Sequence, residues 1–122
     1  MKKISIIVPM YNEEEMIPLF FETTNNVIKQ IDNKYKVSYT CVDDGSKDRT
    51  LDLLKKQRKL QSNIRIVSFS RNFGHEAAVC AGLKQSNGDI MIVMDADLQD
   101  PPEVILQLIK KYEEGYDVVN AK

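Results

Sequence analysis

The chain carries short apolar runs, rich in β-branched residues, that are separated by longer stretches of mixed polarity. Four runs cover residues 4–8, 37–42, 64–69 and 90–94, and a fifth covers 117–119. Within each run the apolar residues are continuous rather than alternating, which is typical of strands buried on both faces of a parallel sheet. The pattern therefore predicts five strands in one sheet.

The stretches between these runs are long enough for helices and show helical spacing of their apolar residues. Pro18 is best tolerated in a first helical turn, so the first helix is predicted to begin near residue 15. The four predicted helices cover 15–31, 47–60, 74–85 and 102–114. The alternation of strands and helices indicates an α/β fold. We expect an open, mainly parallel sheet with helices on both faces, in a Rossmann-like arrangement.

Capping residues mark the starts of two of these helices. Asp100 is expected to cap the fourth helix, with Pro101 in its first position and Glu103 in the capping-box position. Ser46 is expected to cap the second helix, after a tight turn at Gly45.

Length and composition narrow the class of protein. The 122 residues correspond to one domain, 1–122, and 43% apolar with 29% charged residues is an ordinary globular composition. Lys and Arg number 17 against 18 Asp and Glu, a balance that argues against a mainly electrostatic nucleic-acid binder. No apolar run approaches the roughly 18 residues that a membrane-spanning helix needs, and no signal-peptide cleavage site follows the N-terminus. A cytoplasmic protein is expected, with Cys41 and Cys80 as buried, reduced thiols.

Polar and charged residues follow the first four predicted strands, in segments 9–13, 43–46, 70–75 and 95–100. In open α/β sheets, ligands bind at the carboxyl ends of the strands. Because four such segments meet at one edge of the sheet, they predict a ligand site there. The sequence contains neither the glycine-rich dinucleotide fingerprint nor a P-loop.

Asp95 and Asp97 form the sharpest of these features. Residues two apart in an extended segment point to the same side, so the two carboxylates are expected to converge. Carboxylate oxygens suit Mg²⁺ or Mn²⁺ on a diphosphate, and Gln99 is able to add a carbonyl oxygen. The alternative is that one Asp caps a loop while the other is solvated. Since Asp100 already supplies the following cap, the pair is free for another role.

Asp43 and Asp44 are adjacent carboxylates at a buried strand end, where they repel each other. Hydrogen bonds from a base or a ribose to one of them would explain this cost, but a purely structural role is equally consistent with the motif. Tyr11 is able to stack on a base and Glu13 to accept from a ribose or base edge, although a turn before a helix explains both residues as well.

Arg71, Gly74 and His75 have similarly open interpretations. Arg71 is able to pair with a phosphate, but a surface salt bridge is the commoner role of an arginine. Gly74 opens a helix whose N-terminus is able to face phosphate. His75, the single histidine, is expected to form local hydrogen bonds, with a catalytic role as the alternative.

Four motifs together resemble family 2 glycosyltransferases, which have the GT-A fold. They are VPMYNE (8–13), VDDGSKDRT (42–50), SRNFGHEAA (70–78) and DADLQDPPE (95–103). The last two are most similar to the branch of the family that loads sugars onto polyprenyl phosphates.

The resemblance implies roles for particular residues. It implies a nucleotide-sugar site formed by Pro9, Tyr11, Glu13, Val42, Asp44, Asp95, Ala96 and Asp97. It further implies that Asp95, Asp97 and Gln99 bind Mg²⁺ or Mn²⁺, with Asp97 as the catalytic residue. The implied reaction is inverting transfer of a sugar from a UDP- or GDP-linked donor to an acceptor, a polyprenyl phosphate in this branch.

Catalytic domains of this family continue well beyond 122 residues. The resemblance therefore implies that the chain is the nucleotide-binding part of a longer enzyme, inactive alone, whose parent is able to attach to a membrane. An exposed sheet edge would favour self-association, so a homo-oligomer is expected.

Two other classes of function stay open. One is a non-catalytic nucleotide-binding module. The other is a receiver-type signalling domain, which also clusters Asp residues at strand ends around one Mg²⁺. Receiver domains place their acidic pair after the first strand, whereas the acidic pairs here follow the second and fourth strands.

Overall fold

The computed structural model describes residues 1–99 and 101–115, which form an alternating series of strands and helices. In chain order these are β1 (Lys2–Met10), α1 (Ile17–Ile28), β2 (Tyr35–Asp43), α2 (Thr50–Leu60), β3 (Ile64–Ser68), α3 (His75–Gln85), β4 (Ile90–Val93) and α4 (Val104–Glu113). The predicted strand at 117–119 and the predicted cap at Asp100 lie outside the described residues. The other predicted strands and helices are confirmed, with shifted ends.

The four strands form one parallel sheet in the order β3-β2-β1-β4. β1 is central: Ile7 pairs with Thr40 of β2 on one side and with Val93 of β4 on the other. The strand order reverses direction between β1 and β4, which makes their carboxyl ends the switch point where open α/β sheets bind ligands. This order also differs from that of receiver-type domains, in which the first and third strands are neighbours.

Helices cover both faces of the sheet, as predicted. Ile6 of β1 belongs to one apolar core with Phe20 of α1, Leu54 of α2 and Ile105 of α4. α3 packs on the opposite face, where a Cβ atom added to Gly82 would lie 2.4 Å from Cγ2 of Ile7. Right-handed crossovers account for this division, because the connection from β3 to β4 runs across the sheet in the opposite direction to the two before it.

A series of side-chain hydrogen bonds connects neighbouring elements at the amino end of the sheet. The Tyr39 hydroxyl donates to Asn25 Oδ1, and Asn25 Nδ2 donates to Gln61 Oε1. Gln61 Nε2 donates to Asn63 Oδ1, and Asn63 Nδ2 donates to the carbonyl of Val37 at 3.0 Å. These hydrogen bonds link α1, the end of α2 and β2 where β2 extends beyond β3.

Both predicted helix caps that fall on described residues are wrong. α2 begins at Thr50 and not at 47, because the Ser46 hydroxyl accepts a hydrogen bond from the Asn12 amide. α4 begins at Val104, and Glu103 makes no capping hydrogen bond with its side chain. The carbonyl of Pro101 accepts from the Val104 amide at 2.9 Å, so the two prolines form a turn before the helix rather than its first positions.

Of the two thiols predicted to be buried, one is buried and the other is exposed. Cys41 is buried as predicted, and burial raises its pKa, but Cys80 lies on the outer side of α3 and is exposed. The expectation of a second buried thiol is therefore wrong. Among the helices of residues 1–99 and 101–115, none is long and apolar enough to cross a membrane.

Candidate functional site

A cavity of about 430 Å³ opens at the carboxyl ends of β1 and β4, beside the start of α3. Its described lining consists of Pro9, Met10, Tyr11, Glu13, Asp44, Asn72, Gly74, His75, Ala78, Asp95, Ala96 and Asp97. The cavity therefore lies at the switch point of the sheet, where three of the four predicted strand-end segments supply several side chains each and the β2 segment supplies Asp44.

The segment after β1 is held by the loop that follows β2. Asn12 has a φ of 53°, a left-handed conformation that Asn tolerates better than most residues. Its amide donates to Ser46 Oγ and its Oδ1 accepts from the Lys47 amide, both at 2.9 Å. The Glu13 amide donates to Thr50 Oγ1 at 2.8 Å. These bonds fix the backbone between Tyr11 and Glu13, so that both side chains reach the cavity.

The segment after β4 is a tight turn. The Met94 amide donates to the carbonyl of Ile7 at 2.9 Å, which extends the pairing with β1 as far as the turn. Leu98 has a φ of 60°, and Asp97 Oδ1 accepts from the Gln99 amide at 3.2 Å. This turn places Asp95, Ala96 and Asp97 in the cavity wall.

Asp44 is almost completely buried, with 3% of its surface exposed. Its carboxylate accepts hydrogen bonds from the amides of Phe73 and Gly74 and from the side chain of Asn72. The adjacent Asp43 has a different partner, because its Oδ1 accepts from the Ser46 amide at 3.1 Å. Local hydrogen bonds thus offset part of the cost of placing two carboxylates side by side.

The cavity is strongly acidic. Four carboxylates line it, and none of its described lining residues is Lys or Arg. Burial raises the pKa of Glu13, and the negative charges of Asp97, Asp48 and Asp95 raise it further. A site with this charge is suited to a cation together with a polar ligand.

Asp95 and Asp97 fit a hard divalent cation by their chemistry. Mg²⁺ is usually held by one or two carboxylates, with water and substrate phosphates completing the octahedron. Within the part of the chain that the structure describes, no three His, Cys, Asp or Glu side chains converge into a ready-made metal site. The donor set therefore suits a metal shared with a phosphate ligand rather than a closed protein cage.

The structure brings most of the predicted site residues together, with two exceptions. Val42 is fully buried and does not line the cavity, and its side chain faces α3 at Gly82. Gln99 is exposed beyond the turn and does not line the cavity. Arg71 does not line it either, because its guanidinium lies 4.7 Å from the ring centroid of Phe73.

Sequence reasoning missed Asn72 and left His75 as a local residue. Both line the cavity, next to Gly74, whose φ of 105° turns the chain into α3. The available signal was their position directly after a buried strand and before a helix. Nothing in the sequence near Asn72 indicated a role for its side chain, because its hydrogen-bond partner Asp44 lies 28 residues earlier.

Comparison with known protein families gives a match over nearly the whole chain. The sequence model of the family described as Glycosyl transferase family 2 matches residues 5–122. The uncharacterized glycosyltransferase YkcC of Bacillus subtilis (strain 168) is 44% identical over 117 residues, covering 96% of this chain and 36% of YkcC. The undecaprenyl-phosphate 4-deoxy-4-formamido-L-arabinose transferase of Photorhabdus laumondii is 43% identical over 122 residues, covering 99% of this chain and 37% of the relative. The chain thus spans little more than a third of the length of these curated relatives.

Solved structures show the same architecture. S. aureus TarS 1-349 in complex with UDP-GlcNAc superposes with a TM-score of 0.70 at 27% identity, over 92% of this chain and 31% of TarS. The mannosyltransferase PcManGT from Pyrobaculum calidifontis, in complex with GDP-Man and Mn²⁺, superposes with a TM-score of 0.72 at 22% identity, over 89% of this chain and 32% of PcManGT. The second likeness concerns the fold alone.

Proposed function

Because this chain belongs to glycosyl transferase family 2 and has a GT-A type fold, we propose that its carboxyl-end cavity binds a nucleotide-diphosphate sugar. The observation that carries the proposal is the convergence of Glu13, Asp95 and Asp97 in one cavity at the switch point between β1 and β4. Carboxylates at this position accept hydrogen bonds from ribose and sugar hydroxyls, and they attract the cation that accompanies a diphosphate.

The residues around the cavity divide into a nucleoside part and a diphosphate part. In the proposed complex, Pro9, Tyr11 and Glu13 lie against base and ribose. Asp44, which lines the cavity, holds the base, and the buried Val42 supports this part of the site by packing against α3 at Gly82. Asp95 and Ala96 flank the ribose and the diphosphate. The length of the β1 loop and the exposed ring of Tyr11, 40% accessible, leave room for a base to stack.

Asp95 and Asp97, which both line the cavity, would hold Mg²⁺ or Mn²⁺ on the donor. When bound, such a cation stabilises the negative charge that develops on the leaving diphosphate. We propose Asp97 as the catalytic residue of this chain because its carboxylate lines the cavity and would hold the cation that stabilises the leaving diphosphate. Titration with UDP and with GDP distinguishes between the two nucleotides.

The proposed reaction is inverting sugar transfer. An acceptor oxygen forms a bond to the anomeric carbon while the bond from that carbon to the diphosphate breaks, and the nucleoside diphosphate leaves. A polyprenyl phosphate is the proposed acceptor, because the Photorhabdus relative is named for transfer to undecaprenyl phosphate. A phosphate oxygen is already anionic, so this acceptor makes little demand on a general base.

We also propose that residues 1–122 supply the donor-binding part of the enzyme, with the acceptor site in residues of the kind that the longer relatives carry. We further propose that this domain is cytoplasmic and that it self-associates.

Calorimetric titration of the full-length protein with UDP and GDP, with and without Mn²⁺, tests the proposed function. We expect one nucleotide to bind in the presence of Mn²⁺, and Asp97→Ala to weaken that binding at least roughly tenfold. Asp52→Ala is the matched control, because Asp52 is exposed on α2, away from the cavity. Absence of nucleotide binding, or equal binding by Asp97→Ala, would contradict the proposal.

A further inference from the structure

A second cavity, of about 440 Å³, lies beside the end of α3, toward the amino ends of the strands. In the strand register, Ser5 of β1 is the partner of Ser38 of β2. Thr40 of β2 is in turn the partner of Arg65 of β3. Since Ser5 precedes Ile7 by two residues and Ile7 faces α3, this row of side chains lies on the α3 face of the sheet. All four members of the row line this amino-end cavity.

The charge of the amino-end cavity is opposite to that of the carboxyl-end cavity. Arg58 of α2 and Arg65 of β3 line it, and none of its described lining residues is Asp or Glu. An adjoining cavity of about 180 Å³ shares Ser5 with it and adds Lys3 and Lys36, again with no carboxylate among its described lining residues. This end of the α3 face is therefore suited to an anion.

Both arginines have donors available for a ligand. A guanidinium N–H group of Arg65 donates to the carbonyl of Gln85 at the end of α3, which orients the side chain and leaves most of its N–H groups available. Arg58 forms no hydrogen bond or ion pair with the part of the chain that the structure describes. The nearby carboxylate of Asp89 accepts from the Lys3 amide at 2.8 Å and lines neither cavity. A guanidinium with free donors binds phosphate oxygens through paired hydrogen bonds.

The Ser5 hydroxyl is the group that points most directly to a ligand. Ser5 is only 3% exposed on the central strand, yet its hydroxyl forms no hydrogen bond with any described residue. A Cβ atom added to Gly88 would lie 2.7 Å from Ser5 Oγ, so the hydroxyl lies beside the turn that follows Asn87 of the cavity wall. Buried polar groups nearly always have a partner. A molecule in the cavity would supply the partner that the protein does not.

We propose that the amino-end cavity binds a phosphate group. Arg65 and the hydroxyls of Ser5 and Ser38 donate to the phosphate oxygens, and Arg58 adds positive charge. A volume of 440 Å³ is in the range of small-molecule sites, and hydroxyl and amide side chains make up most of the described lining. The cavity therefore has room for the polar body of a small phosphorylated molecule. This site lies away from the proposed nucleotide site and does not depend on it.

Titration of the full-length protein with inorganic phosphate in EDTA, followed by phosphorus NMR, tests the site. EDTA removes the divalent cations that would draw phosphate into the acidic carboxyl-end cavity. We expect saturable binding that Arg65→Gln weakens at least roughly tenfold. Lys59→Gln is the control for the loss of one positive charge, because Lys59 is exposed on α2 and lines neither cavity. No saturable binding by the wild type, or equal affinities of the two variants, would overturn the proposal.

Arg58→Gln keeps the test decisive if the loss of the bond to Gln85 unfolds Arg65→Gln. Arg58 has no hydrogen bond to the described chain to lose, and its removal is expected to weaken phosphate binding roughly threefold. An affinity equal to that of Lys59→Gln, with Arg65→Gln unfolded, would equally overturn the proposal. A parallel titration with glycerophosphate distinguishes free phosphate from a phosphorylated molecule, which would bind more tightly through the rest of the lining.

Ser5→Ala separates a hydroxyl that binds a ligand from one that serves the fold. It removes a hydroxyl without a partner, so we expect the urea midpoint of the unliganded protein to stay the same or to rise. Phosphate affinity should fall roughly threefold or more. Thr40→Val is the control, because Thr40 Oγ1 lies 2.8 Å from Ser86 Oγ and loss of this hydrogen bond should lower the midpoint. A lower midpoint with unchanged phosphate affinity in Ser5→Ala would overturn the proposal.

Discussion

Polar side chains interact in opposite ways at the two ends of the parallel sheet. At the amino end, on the face that α1 and α2 cover, polar atoms pair with one another. Asn25, Gln61 and Asn63 form a continuous chain of hydrogen bonds from the Tyr39 hydroxyl to a strand carbonyl. The Tyr35 hydroxyl donates to Glu113 at 2.6 Å, and burial together with this bond raises the pKa of Tyr35 to about 12.

At the carboxyl end, like charges gather instead. Glu13, Asp95 and Asp97 share a cavity whose described lining holds neither Lys nor Arg. Polar groups at the amino end stabilise the fold, whereas carboxylates at the carboxyl end disfavour one another. Such a cost is tolerated where a ligand is to be bound, so the contrast itself distinguishes the proposed nucleotide site from the paired side chains at the amino end.

The largest expected effect concerns the backbone of the carboxyl end. Gly45→Ala is expected to lower the free energy of unfolding by about 3–5 kcal/mol, since it adds a strained φ and a clash with the backbone of Arg71. Gly74→Ala is the matched control: its φ is +105°, but nothing lies within 4 Å of the added atom. A cost of about 1–3 kcal/mol is expected there. Urea denaturation measures both, and equal losses would show that the close contact of Gly45 with the loop after β3 carries no weight.

The next effect tests the pairing at the amino end. Asn63→Ala leaves the carbonyl of Val37 and Nε2 of Gln61 without their partners, and it is expected to cost about 1–2 kcal/mol of unfolding free energy. Asn33→Ala, at an exposed position, is the control and is expected to change stability by less than about 0.5 kcal/mol. If Asp97→Asn lowered the free energy of unfolding as much as Asn63→Ala does, the contrast between the two ends would be contradicted.

Local sequence pattern accounts for the strands and helices but less well for their ends. Continuous apolar runs predicted β1 to β4 because both faces of this sheet are covered. The start of α2 at Thr50 was missed because the Ser46 hydroxyl bonds elsewhere, and the start of α4 at Val104 was missed because residues 101–103 form a turn before the helix. Ser46 accepts a hydrogen bond from Asn12, which is 34 residues away in sequence. A capping rule based on neighbouring residues does not predict this bond.

Some residues of the site could be predicted from the neighbouring sequence, whereas others depend on contacts between residues far apart in sequence. Asp95 and Asp97 were found because strand ends carry ligands and because residues two apart share a side. Asn72 was not found, since its side-chain hydrogen bond is to Asp44, 28 residues earlier in sequence. Val42 was implied by the family resemblance, yet the direction of its side chain depends on strand register and on the packing of α3.

The smallest effect is a pH dependence that the crowded carboxylates should produce. Burial and the neighbouring charges of Asp97, Asp48 and Asp95 raise the pKa of Glu13 in the folded state above its usual value of 4.5. Ionised Glu13 is therefore disfavoured by folding. Its penalty is fully present above the folded pKa, shrinks as the pH falls through that value, and is absent below the pKa of the unfolded chain.

Glu13→Gln removes this penalty, so it should stabilise the unliganded protein at neutral pH and leave it unchanged below about pH 4.5. The gain should stay below about 1 kcal/mol, because much of the Glu13 side chain is open to solvent that screens these charges. Urea denaturation from pH 4 to 8 measures the difference, and Glu22→Gln, exposed on α1, controls for the loss of one negative charge. A variant that is less stable than the wild type at neutral pH would mean that Glu13 is held by a favourable partner, and the carboxyl end would then resemble the paired amino end rather than oppose it.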